Sequence, residues 1–155
     1  MSNDIRVRWV GDLEPNRVLE ISRASFGADA ITEKQLESFL SSPDHIPKVI
    51  AVDGVVVGYN LHTLDKGYVT IRELAVHPDY RRSGFGSYLL LSLQRQLPEL
   101  RRYAVSVELT ESNLEAQLFF RKNGFKYRRT KQQHGCPDKY VFIHSTYSKH
   151  YTEGQ

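Results

Sequence analysis

Apolar and polar positions change rhythm several times along the chain. Residues 5–10, IRVRWV, alternate, which predicts a short strand. Asp12, Glu14 and Pro15 then precede a helical segment with Val18, Ile21 and Ser25 on one side. Thr32 and Gln35 have capping-box spacing, and Leu36, Phe39 and Leu40 form the apolar stripe of a second helix, with Pro43 beyond its end. In KVIAVDGVVVGYNLHTL, Asp53-Gly54 joins two β-branched runs, a strong hairpin signal. Residues 65–67 predict another turn, and YVTIRELAV (68–76) predicts a further strand.

The period then lengthens. Leu89, Leu93 and Leu97 stand at i, i+4 and i+8 with Leu90 beside them, so residues 86–97 read as an amphipathic helix stopped by Pro98. AVSVEL (104–109) predicts a strand. Ser112 and Glu115 repeat the capping-box spacing before a helix that runs to Asn123, with Gly124 as its C-cap and Phe125 opening the next strand. Residues 139–144 predict a last strand. The order β-α-α-β-β-β-α-β-α-β-β describes an α/β (α+β) fold. Its first half is antiparallel, and one helical crossover lies in the middle. A single domain over residues 1–148 is expected, followed by a polar, loose tail at 149–155.

Composition narrows the picture. At 155 residues the chain is long enough for a real core. Twenty-one Lys and Arg against 18 Asp and Glu leave a net charge of +3. That is no argument for nucleic acid, but it suits an anionic partner such as a phosphorylated cofactor. The single cysteine, Cys136, excludes an intrachain disulfide and a zinc site built on several cysteines, and no other metal-ligand cluster stands out. A reducing cytoplasm is the simpler compartment. MSNDIRVRWV has no apolar run behind its charges, and YLLLSL is too short to span a bilayer, so no membrane partner is expected.

Candidate chemistry concentrates in YRRSGFGS (80–87), where a strand gives way to a helix. A helix N-terminus carries unpaired N–H groups and the positive end of the macrodipole, and glycines let the backbone curl around an oxygen cluster. A plain strand-to-helix turn with solvated arginines accounts for the same residues. Neither the Walker pattern nor the dinucleotide fingerprint fits: no lysine follows Gly86, and Leu89 stands where a third glycine is needed.

A different pattern fits. Arg81-Arg82-Ser83-Gly84-Phe85-Gly86 resembles Arg/Gln-x-x-Gly-x-Gly/Ala, the pyrophosphate loop of GNAT-type N-acetyltransferases. ELAVHPDYR upstream and SNLEAQLFFRKNGFKY downstream are similar to the same family, nearest in pattern to its ribosomal-protein alanine N-acetyltransferase branch. The likeness is strong over residues 69–127. It implies a mixed, mostly antiparallel twisted sheet of about seven strands flanked by about four helices. It also implies acetyl-coenzyme A as cosubstrate, without a metal, and a primary amine as acceptor: a protein N-terminus, a lysine or a small amine. By this resemblance the pyrophosphate meets Arg81, Arg82, Ser83, Gly84, Phe85, Gly86 and Ser87. The pantetheine arm lies along the backbone of Leu74, Ala75 and Val76, and Asn113 approaches it; plain helix capping beside Ser112 accounts for Asn113 as well, and both can hold at once.

Acetyl transfer requires an acceptor amine that has lost a proton and a donor for the developing oxyanion. Glu108, five residues before Asn113, resembles the glutamate that serves as base in the alanine branch. Glu73 competes with it. Alternation puts Glu73 on the face of Val69, Ile71 and Ala75, where a carboxylate is either partnered or functional. The branch's tyrosine proton donor, seven residues after the asparagine, is replaced here by Phe120. That leaves water, Tyr127 or Tyr140 to protonate the thiolate, or a protein that binds the cofactor and transfers poorly. Two other classes stay in view. One is a catalytically weak acetyl-coenzyme A-binding module. The other is a nucleic-acid-binding domain using Arg101, Arg102, Arg128 and Arg129 with Tyr103 and Tyr127, which the charge balance disfavours. Nothing in the sequence fixes the oligomeric state.

Overall fold

A computed structural model describes residues 3–145; the expected tail at 149–155 lies outside the described residues. Seven strands and four α-helices appear in the expected order, with two short 3₁₀ turns between them. The strands are β1 (Ile5–Trp9), β2 (His45–Val52), β3 (Val55–Leu64), β4 (Tyr68–Val76), β5 (Ala104–Thr110), β6 (Lys126–Gln133) and β7 (Cys136–Ser145). The helices are α1 (Pro15–Phe26), α2 (Glu33–Leu40), α3 (Phe85–Leu100) and α4 (Leu114–Lys122). They build a mixed sheet in the order β1-β2-β3-β4-β5-β7-β6. No described helix is long and apolar enough to cross a membrane. The chain forms two compact units, one of residues up to 64 with 72–92, the other of 65–71 and 93 onward.

The first unit is an antiparallel β1-β2-β3 meander with α1 and α2. Asp53 (φ 50°) and Gly54 (φ 84°) make the β2–β3 turn with the two positive φ angles that a two-residue hairpin loop favours. Thr32 and Gln35 close a full capping box on α2. Val18, Ile21, Leu36, Val49, Tyr59, Leu61 and Ala75 form one buried cluster, and Ile50, Val57, Phe85 and Leu89 another.

Polar residues are also buried in this unit. His62 is 1% exposed, and neither ring nitrogen has a partner among the described residues. Burial, and next the charge of Lys48, push its imidazole down to about 4 from an ordinary 6.5. The unfolded chain therefore takes up this proton first. Stability is full above pH 6.5 and is lost as pH falls toward 4, by about 3 kcal/mol over that window. We predict that His62→Leu removes this loss. Urea midpoints of both proteins at pH 7 and pH 4 would check it, and parallel losses would contradict it.

In the second unit β4 and β5 are parallel over four pairs, Tyr68↔Ala104 to Ile71↔Val107, and β7 lies antiparallel between β5 and β6. Three local features differ from the sequence reading. Pro98 lies inside α3 and does not stop it. The C-terminal carbonyls of the helix are served by Arg102: its N–H donates to Leu97 O at 3.1 Å, and its guanidinium donates to Leu100 O and Asp65 O. α4 is capped by Asn113, whose Oδ1 accepts from Ala116 N–H at 3.2 Å, one residue later than the Ser112 spacing suggests. β7 begins at Cys136, three residues earlier than the apolar run indicates. Gly124 (φ 88°) ends α4 as expected, with Phe125 N–H reaching back to Phe120 O.

Candidate active site

β4 runs to Val76 and the chain then turns through Pro78–Tyr80. His77 belongs to this turn: its Nδ1 accepts from Asp79 N–H at 3.1 Å. Arg81 is extended, Arg82 (φ 66°) and Gly84 (φ 79°) adopt the left-handed conformation, and α3 starts at Phe85. The first helical bond runs from Tyr88 N–H to Gly84 O at 2.9 Å, so the N–H groups of Phe85, Gly86 and Ser87 precede any intrahelical acceptor. Arg81 through Gly84 are exposed, whereas the Phe85 side chain is buried and anchors the loop to the core. A Cβ placed on Gly84 would meet nothing within 4 Å. The result is an exposed turn whose backbone donors lie at the positive end of a 16-residue helix with open space beside Gly84, which fits a phosphate group.

The strand segment before the loop depends on Gly58. A Cβ there would lie 2.8 Å from Ala75 O and 3.3 Å from Val76 Cγ2. Gly58 therefore lets the end of β4 sit close against β3. Gly58→Ala should displace Ala75 and Val76 and destabilise the protein by about 1–3 kcal/mol, visible as a lower melting temperature. An unchanged melt would show that β4 has room to spare. The loop is also tied back to this segment, since Arg81 Nε donates to Val76 O at 3.2 Å.

Glu73, two residues before Ala75, is half-buried in the same unit. Its partners are not cations. Tyr59 Oη donates to Glu73 Oε1 at 2.8 Å and Ser22 Oγ donates to the same oxygen at 3.1 Å. Burial raises the proton affinity of this carboxyl above the ordinary carboxylate range, against the opposing pull of the Tyr59 and Ser22 hydroxyls. The Tyr59 phenol is itself raised, by burial first and then by the neighbouring Glu73 charge. Sequence reasoning placed Glu73 on an apolar row but missed these hydroxyls. The signal available was a tyrosine at position 59 within the paired apolar hairpin.

Glu108 and Asn113 belong to the second unit. Glu108 Oε1 is ion-paired with Lys131 Nζ from β6. Asn113 serves as the α4 cap. Phe120, 5% exposed, packs edge-on against Phe119 and Phe125, so it is a core residue. Tyr127 is half-exposed with its hydroxyl 2.6 Å from Thr130 Oγ1, and it meets Tyr140 edge-on. Cys136 is an exposed free thiol. Among the described residues no group of three or more His, Cys, Asp or Glu could hold a metal ion.

Residues 16–125 match the acetyltransferase (GNAT) family. An uncharacterized N-acetyltransferase of Methanocaldococcus jannaschii, MJ1530, is 31% identical over 125 residues, covering 79% of each chain. A mycothiol acetyltransferase of Salinispora arenicola is 34% identical over 112 residues, 68% of this chain; the match spans 36% of that relative's length. The crystal structure of the ribosomal-protein-S18-alanine N-acetyltransferase of Escherichia coli superposes with a TM-score of 0.80 at 18% identity, covering 94% of this chain and 97% of that one. That structure shares the fold. With the family match spanning both the Gly84 loop and Glu73, the chain belongs to the acetyltransferase (GNAT) family of acetyl-coenzyme A-dependent acyltransferases.

Proposed function

We propose that residues 1–148 form a cytoplasmic N-acetyltransferase that moves an acetyl group from acetyl-coenzyme A to a primary amine by direct attack on the thioester. The observation that carries this reading is one unit holding both an anion-fitting helix N-terminus and, on the strand leading into it, a half-buried carboxyl of raised proton affinity. When bound, the cosubstrate supplies an activated acetyl group and a thiol leaving group. Residues 81–87 hold its pyrophosphate, chiefly through backbone N–H groups. Leu74, Ala75 and Val76 offer backbone groups to the pantetheine arm.

Glu73 takes a proton from the acceptor ammonium, so that the nitrogen lone pair becomes available. Glu108 is the second reading, favoured by its five-residue spacing to Asn113 but engaged with Lys131. The acceptor is a protein N-terminus or a lysine, with a small amine as the alternative. The names of the relatives point both ways, one to mycothiol and one to an alanine of a ribosomal protein.

An acceptor screen tests this. Release of free coenzyme A thiol is measured against small amines, lysine peptides and N-terminal peptides. Thiol release that depends on both protein and amine is expected. Tight cofactor binding with no release for any acceptor would favour a binding module instead. Affinity for a labelled oligonucleotide without cofactor binding would favour the nucleic-acid reading. Arg81→Ala should weaken cofactor binding more at low salt than at high salt, because exposed charges are screened. A salt-independent loss would point to the Val76 carbonyl bond as its main role.

A further inference from the structure

The two hydroxyls on Glu73 are not distributed evenly. Both donate to Oε1, and among the described residues no donor reaches Oε2. Glu73 itself is only partly buried. The Ser22 hydroxyl is also held from behind. Ile31 N–H donates to Ser22 Oγ at 2.9 Å, which occupies a lone pair of this fully buried serine and leaves its single hydroxyl proton for donation to Glu73. Tyr59 is equally buried, and Oε1 of Glu73 accepts its hydroxyl. We propose that Ser22 and Tyr59 are positioning residues that pin Oε1 of Glu73 and reserve Oε2 as the atom that takes the acceptor's proton.

The inference rests on Glu73 being the base. In the step it describes, an N–H bond of the acceptor ammonium breaks and an O–H bond forms at Oε2. The electron pair stays on nitrogen. An oxygen that already accepts two hydrogen bonds is the weaker proton acceptor, so the pair of donors makes the carboxyl one-sided. Ser22 comes from α1 and Tyr59 from β3, and no charged side chain is among the groups that move the proton affinity of Glu73. The Ile31 bond also ties the connection between α1 and α2 to the same oxygen, through Ser22.

Carboxyl-¹³C NMR titration of Glu73 tests the proposal in wild type, Ser22→Ala and Tyr59→Phe, alongside the pH profile of kcat/KM for the amine. Each variant loses a donor to the charged form, so the Glu73 midpoint should rise by about one pH unit, and the acidic limb of kcat/KM should rise with it. If the residues only pack the core, melting temperature falls while midpoint and limb stay put, and that result overturns the proposal. A midpoint that moves without the kinetic limb removes Glu73 as base and takes the proposal with it. Tyr59→Phe keeps the ring in place, so a folding failure of Ser22→Ala does not remove the test.

Discussion

Gly84→Val is expected to bind acetyl-coenzyme A about two orders of magnitude more weakly than wild type while still folding. The added side chain meets no protein atom, because a Cβ at this position has open space around it. It occupies instead the open space beside the α3 N-terminus, where the proposed pyrophosphate approaches Phe85, Gly86 and Ser87. At φ 79° a β-branched residue also strains the backbone by about 1–2 kcal/mol, which tends to flatten the loop. Both effects remove a phosphate contact, and neither touches the core. Calorimetry with coenzyme A, paired with a thermal melt, separates binding from folding. Gly86→Val should show a similar binding loss. Wild-type affinity in both variants would mean that the loop is a turn and the pyrophosphate lies elsewhere.

The parts of this fold that short sequence windows revealed are those that local backbone chemistry decides. Asp53-Gly54 names its turn because both positions need positive φ. Thr32 and Gln35 name the start of α2 because each satisfies the other's backbone N–H. Pro98 misled because the donors that serve the last carbonyls of α3 come from Arg102, which also reaches Asp65, 37 residues earlier. Ser112 and Asn113 are both good caps for α4, and the side-chain bond to Ala116 decides for Asn113.

At the candidate site the boundary between legible and hidden is sharper. The Gly84 loop is one short segment, so its pattern was visible. The surroundings of Glu73 come from Tyr59, 14 residues away, and Ser22, 51 residues away. Glu108 and Lys131 meet 23 residues apart. Alternation could say that Glu73 shared a face with apolar residues, but not whether its partner would be a cation or a hydroxyl. That difference governs basicity. A cation stabilises the carboxylate in its charged form, whereas burial raises the proton affinity of Glu73 and the two hydroxyls only oppose that rise.

The same contrast underlies the second large effect. Glu73→Gln should lower turnover by roughly two to four powers of ten at neutral pH and leave cofactor affinity nearly unchanged, because the amide keeps the shape and loses the base. The loss should shrink as pH rises, since the acceptor amine then deprotonates unaided. Glu108→Gln should cost less than about tenfold, the scale of a partly exposed ion pair. The sequence spacing to Asn113 favours Glu108 over Glu73, so the two variants set that expectation against the observed surroundings. Glu73 accepts both of its hydroxyl partners on one oxygen and has a proton affinity raised by burial. Glu108 Oε1 is instead paired with the Lys131 ammonium, a cation that stabilises the charged carboxylate. Turnover for each variant, measured from pH 6 to pH 10 at saturating cofactor, decides between them. A collapse in Glu108→Gln with normal rates in Glu73→Gln would move the base to β5. Lys131 would then be its regulator, and Lys131→Met would be expected to shift the acidic limb of the profile.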